Sequence, residues 1–205
     1  MKETNKIKVF SHVLVRVENA YKDRIKLKNG VEIFLSSVIR EVKDTIRYGK
    51  VIAVPDSLKD DLKVGDTLFF HHNIVGVTVM ESGVHEIQSQ FLIDKENGVY
   101  RVPVDSMYPL IYAKISDGEF SVWPGTCFVR PIFTKKYDTF LEIVDNKRER
   151  QHIGEVVYCD KEMESNGISP GDKVIFSNDS EYEFEINGEV LYCMLNRWIL
   201  GKLDE

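Results

Sequence analysis

Cysteine is scarce in this chain: Cys127, Cys159 and Cys193 form an odd set with no close pair. That arrangement builds neither a disulfide framework nor a zinc knuckle, and it fits a reducing cytoplasm. Long apolar runs are missing too, since no window approaches the roughly 18 uncharged residues needed to span a bilayer. The first ten residues carry Lys2, Lys6 and Lys8 without an apolar stretch of signal-peptide length behind them, so a soluble, unsecreted protein is expected. Dense positive charge is also lacking. With 27 basic and 33 acidic residues the net charge is −6, which repels a nucleic-acid backbone. The one basic cluster, Lys147-Arg148-Glu149-Arg150, is interrupted by a glutamate and reads as a solvated loop.

The groupings that carry catalysis are absent as well. No phosphate-binding glycine loop and no serine-nucleophile motif occurs. His71 and His72 are adjacent, so within a strand they would face opposite sides and could not share one metal ion. His12, His85 and His152 have no cysteine or carboxylate at ligand spacing. The expectation is no enzyme, no metal and no cofactor. Helical patterning is likewise missing: no window of helical length keeps an apolar stripe between recognisable caps.

What the sequence does contain is a repeat. Gly49-Lys50-Val51-Ile52-Ala53-Val54 is answered by Gly154-Glu155-Val156-Val157-Tyr158-Cys159. Each run leads to the same punctuation, Leu62-Lys63-Val64-Gly65-Asp66-Thr67-Leu68-Phe69-Phe70 in the first and Ile168-Ser169-Pro170-Gly171-Asp172-Lys173-Val174-Ile175-Phe176 in the second. The spacing between the two glycines agrees to within one residue. Upstream, Val13-Leu14-Val15-Arg16-Val17 matches Cys127-Phe128-Val129-Arg130-Pro131-Ile132. Downstream, Gly98-Val99-Tyr100-Arg101-Val102 is set against Gly188-Glu189-Val190-Leu191-Tyr192, and Leu110 to Ile115 against Trp198 to Leu203. Asp117-Gly118 marks the turn between copies. Short β-rich runs between Gly, Asn, Asp and Pro clusters predict strands throughout, with Asn187-Gly188 as a hairpin turn. Strands at this spacing close most naturally into small barrels.

The ordered set of strand, long loop, Gly-Glu-Val-Val, turn, Pro-Gly-Asp-Lys-Val-Ile-Phe, hairpin and Ile-Leu-Gly strand resembles the GroES-type co-chaperonins, present twice. The fold this implies is all-β, two tandem GroES-like barrels at 10–118 and 119–205, the first carrying an insertion at 71–97. Doubled copies are similar to the co-chaperonins of plastids, while the divergent insertion is more like those of phages. In the family a loop after the first strand docks a short apolar tripeptide on the chaperonin. The resemblance places that anchor at Ile33, Phe34 and Leu35, and in the second copy at Phe140, Leu141, Ile143 and Val144. Read from the residues alone, Arg24 to Leu35 also alternates about Asn29-Gly30 as an ordinary hairpin does, and Tyr137 to Gln151, which lacks the family's glycines, also reads as an ordinary strand and loop. The partners implied are a GroEL-type chaperonin that binds the ATP itself, and further copies of this chain in a ring, with no nucleic acid and no membrane. The location implied is the cytoplasm, that of a host if a phage encodes the chain. An alternative is a GroES-like barrel reused as a structural or assembly module, for instance in a virion. In the insertion, Asn73 to Val79 and Gln88 to Ile93 are the expected halves of a roof hairpin or of an interface.

Overall fold

The computed structural model describes residues 8–18, 20, 24–26, 32–34, 45–81, 84–104, 109–133, 149–178 and 180–203. The protein is all-β, and the chain divides into two compact units, Met1–Phe120 and Ser121–Glu205. In chain order the strands leading to the division are β1 (His12–Arg16), β2 (Arg24–Lys26), β3 (Glu32–Phe34), β4 (Tyr48–Ala53), β5 (Thr67–Phe70), β6 (Val77–Glu81), β7 (Val84–Gln88), β8 (Leu92–Asp94), β9 (Val99–Pro103), β10 (Ile111–Ser116) and β11 (Glu119–Val122). Then follow β12 (Thr126–Phe133), β13 (Glu149–Tyr158), a helical turn α1 (Lys161–Ser165), β14 (Lys173–Phe176), β15 (Tyr182–Ile186), β16 (Glu189–Leu195) and β17 (Ile199–Lys202).

The repeat in the sequence is a repeat in sheet order. The first large sheet runs β8-β9-β1-β4-β5-β10-β11, and the second runs β15-β16-β12-β13-β14-β17. Register agrees pair by pair. Leu14 faces Ala53, a bulge follows, and Val15 then faces Val51. In the second sheet Phe128 faces Tyr158, a bulge follows, and Val129 faces Val156. Leu68 opposes Lys114 as Val174 opposes Lys202, and a further bulge recurs in both places.

Two pairs of glycines explain why the motif must be written twice. Gly65 and Gly171 take φ of 100° and 95°, a conformation costly for any residue with a Cβ. Around them the amide of Gly65 donates to the Val51 carbonyl at 2.8 Å, and the amide of Gly171 to the Val156 carbonyl at 2.8 Å. The aspartate that follows fixes the turn from its side chain: Asp66 Oδ2 accepts from the Lys63 amide at 2.9 Å, and Asp172 Oδ2 from the Ser169 amide at 2.8 Å. At Gly49 and Gly154 the reason is contact instead. A Cβ there would lie 2.8 Å from the Arg16 carbonyl oxygen in one copy and 2.8 Å from that of Arg130 in the other.

One block of the sequence match is corrected by register. Tyr100 lies opposite Val15 and Tyr192 opposite Val129, so Tyr100 corresponds to Tyr192 and the third block shifts by two residues. Gly98 and Gly188 look alike in the sequence but serve different ends. Gly98, at φ 60°, lies where a Cβ would approach the Val17 carbonyl to 2.5 Å, whereas Asn187-Gly188 is the turn joining β15 to β16. With φ of 53° and 79°, that turn has the left-handed pair that suits a two-residue hairpin.

The cores follow from the alternation. Val13, Val15, Val51, Leu68, Phe70 and Val102 are buried in the first unit. In the second, Cys127, Val129, Val156, Met163, Val174, Phe176, Tyr192 and Met194 form one cluster. Full burial of Phe70 or Phe176 contributes roughly 2–3 kcal/mol relative to exposure. The turn expected before Pro170-Gly171 contains α1, begun by Asp160, whose Oδ1 accepts from the Met163 amide at 3.1 Å.

The insertion folds differently from the expectation. The hairpin is β6 with β7, pairing Val77 with Gln88 and Glu81 with Val84, and it stands as a sheet of its own. The strand expected at Gln88 to Ile93 is β8, which pairs with β9 where β15 pairs with β16. β8 therefore takes the place beside β9 that β15 takes beside β16.

Candidate partner-binding hairpin

The stretch after β1 that carries Ile33 and Phe34 forms a short antiparallel ribbon. Arg24 pairs with Phe34, Ile25 with Ile33, and Lys26 with Glu32. The ribbon is a separate two-stranded sheet and is not part of the seven-stranded one. The hairpin reading of Arg24 to Leu35 thus describes the backbone of these paired residues, and the first two residues of the tripeptide expected as an anchor lie on its second strand. Leu35 lies outside the described residues. So do Phe140, Leu141, Ile143 and Val144.

A ladder of three residue pairs has little stability alone, because two-stranded ribbons are marginal in water. Residues already held in strand conformation do not have to be ordered when a partner arrives, which removes part of a cost of about 1–2 kcal/mol per residue.

The histidine pair departs from the expectation of opposite-facing rings. The strand ends at Phe70, and His71 begins a 3-10 turn over His72–Ile74, its Nδ1 accepting from the Asn73 amide at 3.2 Å. The two ring centroids are consequently 4.2 Å apart, and Tyr112 lies 6.2 Å from His71. Burial lowers the His71 pKa to about 4, with smaller contributions from His72 and the Arg47 guanidinium. A ring that stays neutral suits this packed turn. Among the described residues no cluster of three or more His, Cys, Asp or Glu is arranged to hold a metal ion. Cys127, at the core, is pushed up to about 12 by burial and, less strongly, by Cys159 and Asp160. It has the character of a packing residue, not of a nucleophile.

The sequence reading did not single out the sheet edges. On the first sheet, β10 turns through Asp117-Gly118 into β11, and Phe120 of β11 lies 5.6 Å edge-on to Phe69, itself 5.8 Å from Tyr48. On the second sheet β17 is the last strand, with Leu200 67% exposed. The opposite edge, β15, presents exposed Glu183 and Glu185 between buried Phe184 and Ile186. No signal within β17 itself marks it as an edge; its status follows from strand order.

No protein-family model matches this chain, and no curated protein matches it significantly. Among the described residues no helix is long and apolar enough to cross a membrane.

Proposed function

We propose that this chain is a co-chaperonin of the GroES type, a ring-forming lid for a GroEL-type chaperonin that binds and hydrolyses the ATP itself. The observation that supports the reading best is the conjunction of a sheet written twice with a separate ribbon after β1 that carries Ile33 and Phe34. Three apolar side chains entering a groove gain about 5–8 kcal/mol gross. Ordering a free loop of eight residues costs about 8–16 kcal/mol, so a single unpaired loop binds poorly. Pre-pairing of Glu32–Phe34 reduces that cost, and several copies on one ring raise the effective concentration of the rest.

The test is Phe34→Ser. Docking by this residue predicts that capture by purified GroEL with ATP collapses, because about 2 kcal/mol is lost at every loop and the ring multiplies the loss, while thermal melting stays at the parent value. A variant that melts like the parent and still binds GroEL refutes the anchor. A loss of roughly 3 kcal/mol or more in stability would instead assign Phe34 to a core.

A second reading, an assembly module within a larger complex such as a virion, is favoured by the β6–β7 hairpin, which has no counterpart among the described residues of the second unit. Deleting that hairpin should leave GroEL capture intact under the first reading.

A further inference from the structure

Cys127 and Cys159, far apart in the sequence, stand opposite each other in the fold. Phe128 faces Tyr158 across β12 and β13, so the next rung of this antiparallel pair sets Cys127 against Cys159. Beyond that rung the two segments are tied again, because the Gly125 amide donates to Asp160 Oδ2 at 2.7 Å. The rung is thus held from both ends. Cys127 belongs to the buried cluster of the second unit, and Cys159 packs against the same cluster. Residues directly opposite in an antiparallel ladder have Cα atoms about 4.5–5.5 Å apart, inside the range of about 4.4–6.8 Å that a disulfide spans. Both residues are free thiols in this structure.

The first unit shows that packing at this place does not call for sulfur. Leu14 faces Ala53 there, so the same rung holds Val13 and Val54, the one buried and the other half-buried, as Cys127 and Cys159 are. Two aliphatic side chains fill the rung in one copy and two thiols in the other. Cys193 is no rival for either. It faces Phe128 from β16 while Cys127 faces Met194, so Cys193 projects from the opposite face of the sheet.

We propose that Cys127 and Cys159 are a redox-active pair, oxidised to a cross-strand disulfide by a small disulfide of the glutathione class. Cys159, the less buried, reacts first: its thiolate attacks one sulfur of the oxidant, the oxidant's S–S bond breaks, and one small thiol leaves. Cys127 then attacks the Cys159 sulfur, the mixed disulfide breaks, and the second small thiol leaves with the Cys127 proton. Two electrons and two protons pass from the protein to the oxidant. Burial holds the Cys127 thiol at about 12, which makes the second step slow and confines it to the sulfur directly opposite. The new bond joins β12 to the corner where Asp160 begins α1. The inference goes beyond the proposed function and requires no chaperonin.

The test is to incubate the folded full chain with oxidised glutathione at pH 8, alkylate in denaturant and map the tryptic peptides, which carry the three cysteines separately. Peptides joined through Cys127 and Cys159 should accumulate, with Cys193 alkylated, and dithiothreitol should return both thiols. The same oxidation in denaturant should scatter among the three cysteines. Followed by tryptophan fluorescence, the oxidised second unit should melt about 10 °C above the reduced one. Cys159→Ser, which keeps a donor for the Ile168 carbonyl that the Cys159 thiol meets at 3.7 Å, should fold and show neither the bond nor the gain. A lasting glutathione adduct on Cys159 with Cys127 still a thiol, or a bond from Cys193 to either of the others in the folded chain, would overturn the proposal. An oxidised chain that melts below the reduced one would do the same, since the bond would then form only by distorting the ladder.

Discussion

Replacing Gly154 by alanine should unfold the second unit at markedly lower temperature, and the size of the effect follows from what the new methyl group meets. An ideal Cβ at this position falls 2.3 Å from Val129 Cγ1 and 2.8 Å from the Arg130 carbonyl oxygen, with Phe176 Cε1 at 3.5 Å. The valine is fully buried within the main cluster, so a change of its rotamer displaces other core atoms. The carbonyl belongs to β12 and moves only if the strand moves. Overpacking of this kind costs about 1–3 kcal/mol, and a contact with backbone puts the change near the upper end. Restricting the unfolded chain returns about 0.5–1 kcal/mol, leaving a net loss of about 2 kcal/mol. For a unit of this size that corresponds to a fall of about 8–16 °C in Tm. Trp123 and Trp198, the chain's two tryptophans, both lie in Ser121–Glu205, so tryptophan fluorescence follows the second unit selectively. Gly201→Ala provides the internal comparison, because a Cβ there meets nothing within 4 Å. It should melt at or slightly above the parent. If Gly154→Ala melts within about 2 °C of the parent, the close approach of β12 to β13 is not what keeps this position glycine.

Two further outcomes are expected. His71 titrates near 4 in the folded protein and near 6.5 when unfolded, so between those values the unfolded chain takes up a proton that the folded one refuses. The first unit should therefore lose stability as pH falls through that window, and His71→Asn, which keeps an acceptor for the Asn73 amide, should flatten that part of a Tm-against-pH curve even if its Tm is lower throughout. Cys127, with its thiol pushed up to about 12 by burial, should resist iodoacetamide at pH 8 until the second unit unfolds. Modification of Cys127 in the folded protein, read by peptide mass analysis, would contradict its place in the core.

The features legible in the sequence were those fixed by local backbone demands. Gly65-Asp66 and Gly171-Asp172 announce the same turn because a positive φ and a side-chain acceptor are needed at consecutive positions. Asn187-Gly188 announces its hairpin for a similar reason. The features that escaped depend on pairing partners distant in the chain. Gly98 was matched to Gly188 because both are glycines before a β-run, yet one accommodates the Val17 carbonyl and the other turns a hairpin. The apolar run at Phe91 to Ile93 does not reveal that β8 joins β9, and nothing in Ile199-Leu200-Gly201 says that among the described residues β17 is the last strand of its sheet. Of the candidate anchor, the pairing of Ile33 and Phe34 with Arg24 and Ile25 was readable from alternation about Asn29-Gly30.

Writing one ladder twice in a chain also sets a problem of kinetic sorting. During folding β1 meets two strands of suitable length and direction, β4 and β13, and β12 meets the same two. Backbone register alone does not discriminate, since the bulges recur at the same positions. Side-chain volume does. Leu14 faces the small Ala53, whereas Phe128 faces Tyr158 with ring centroids 6.5 Å apart. An exchanged pairing would leave Phe128 opposite Ala53 and crowd Leu14 against Tyr158, a mismatch of volume at both places. The unequal sizes of two otherwise equivalent pairs thus act as an address, penalising any exchange of strands between the two units.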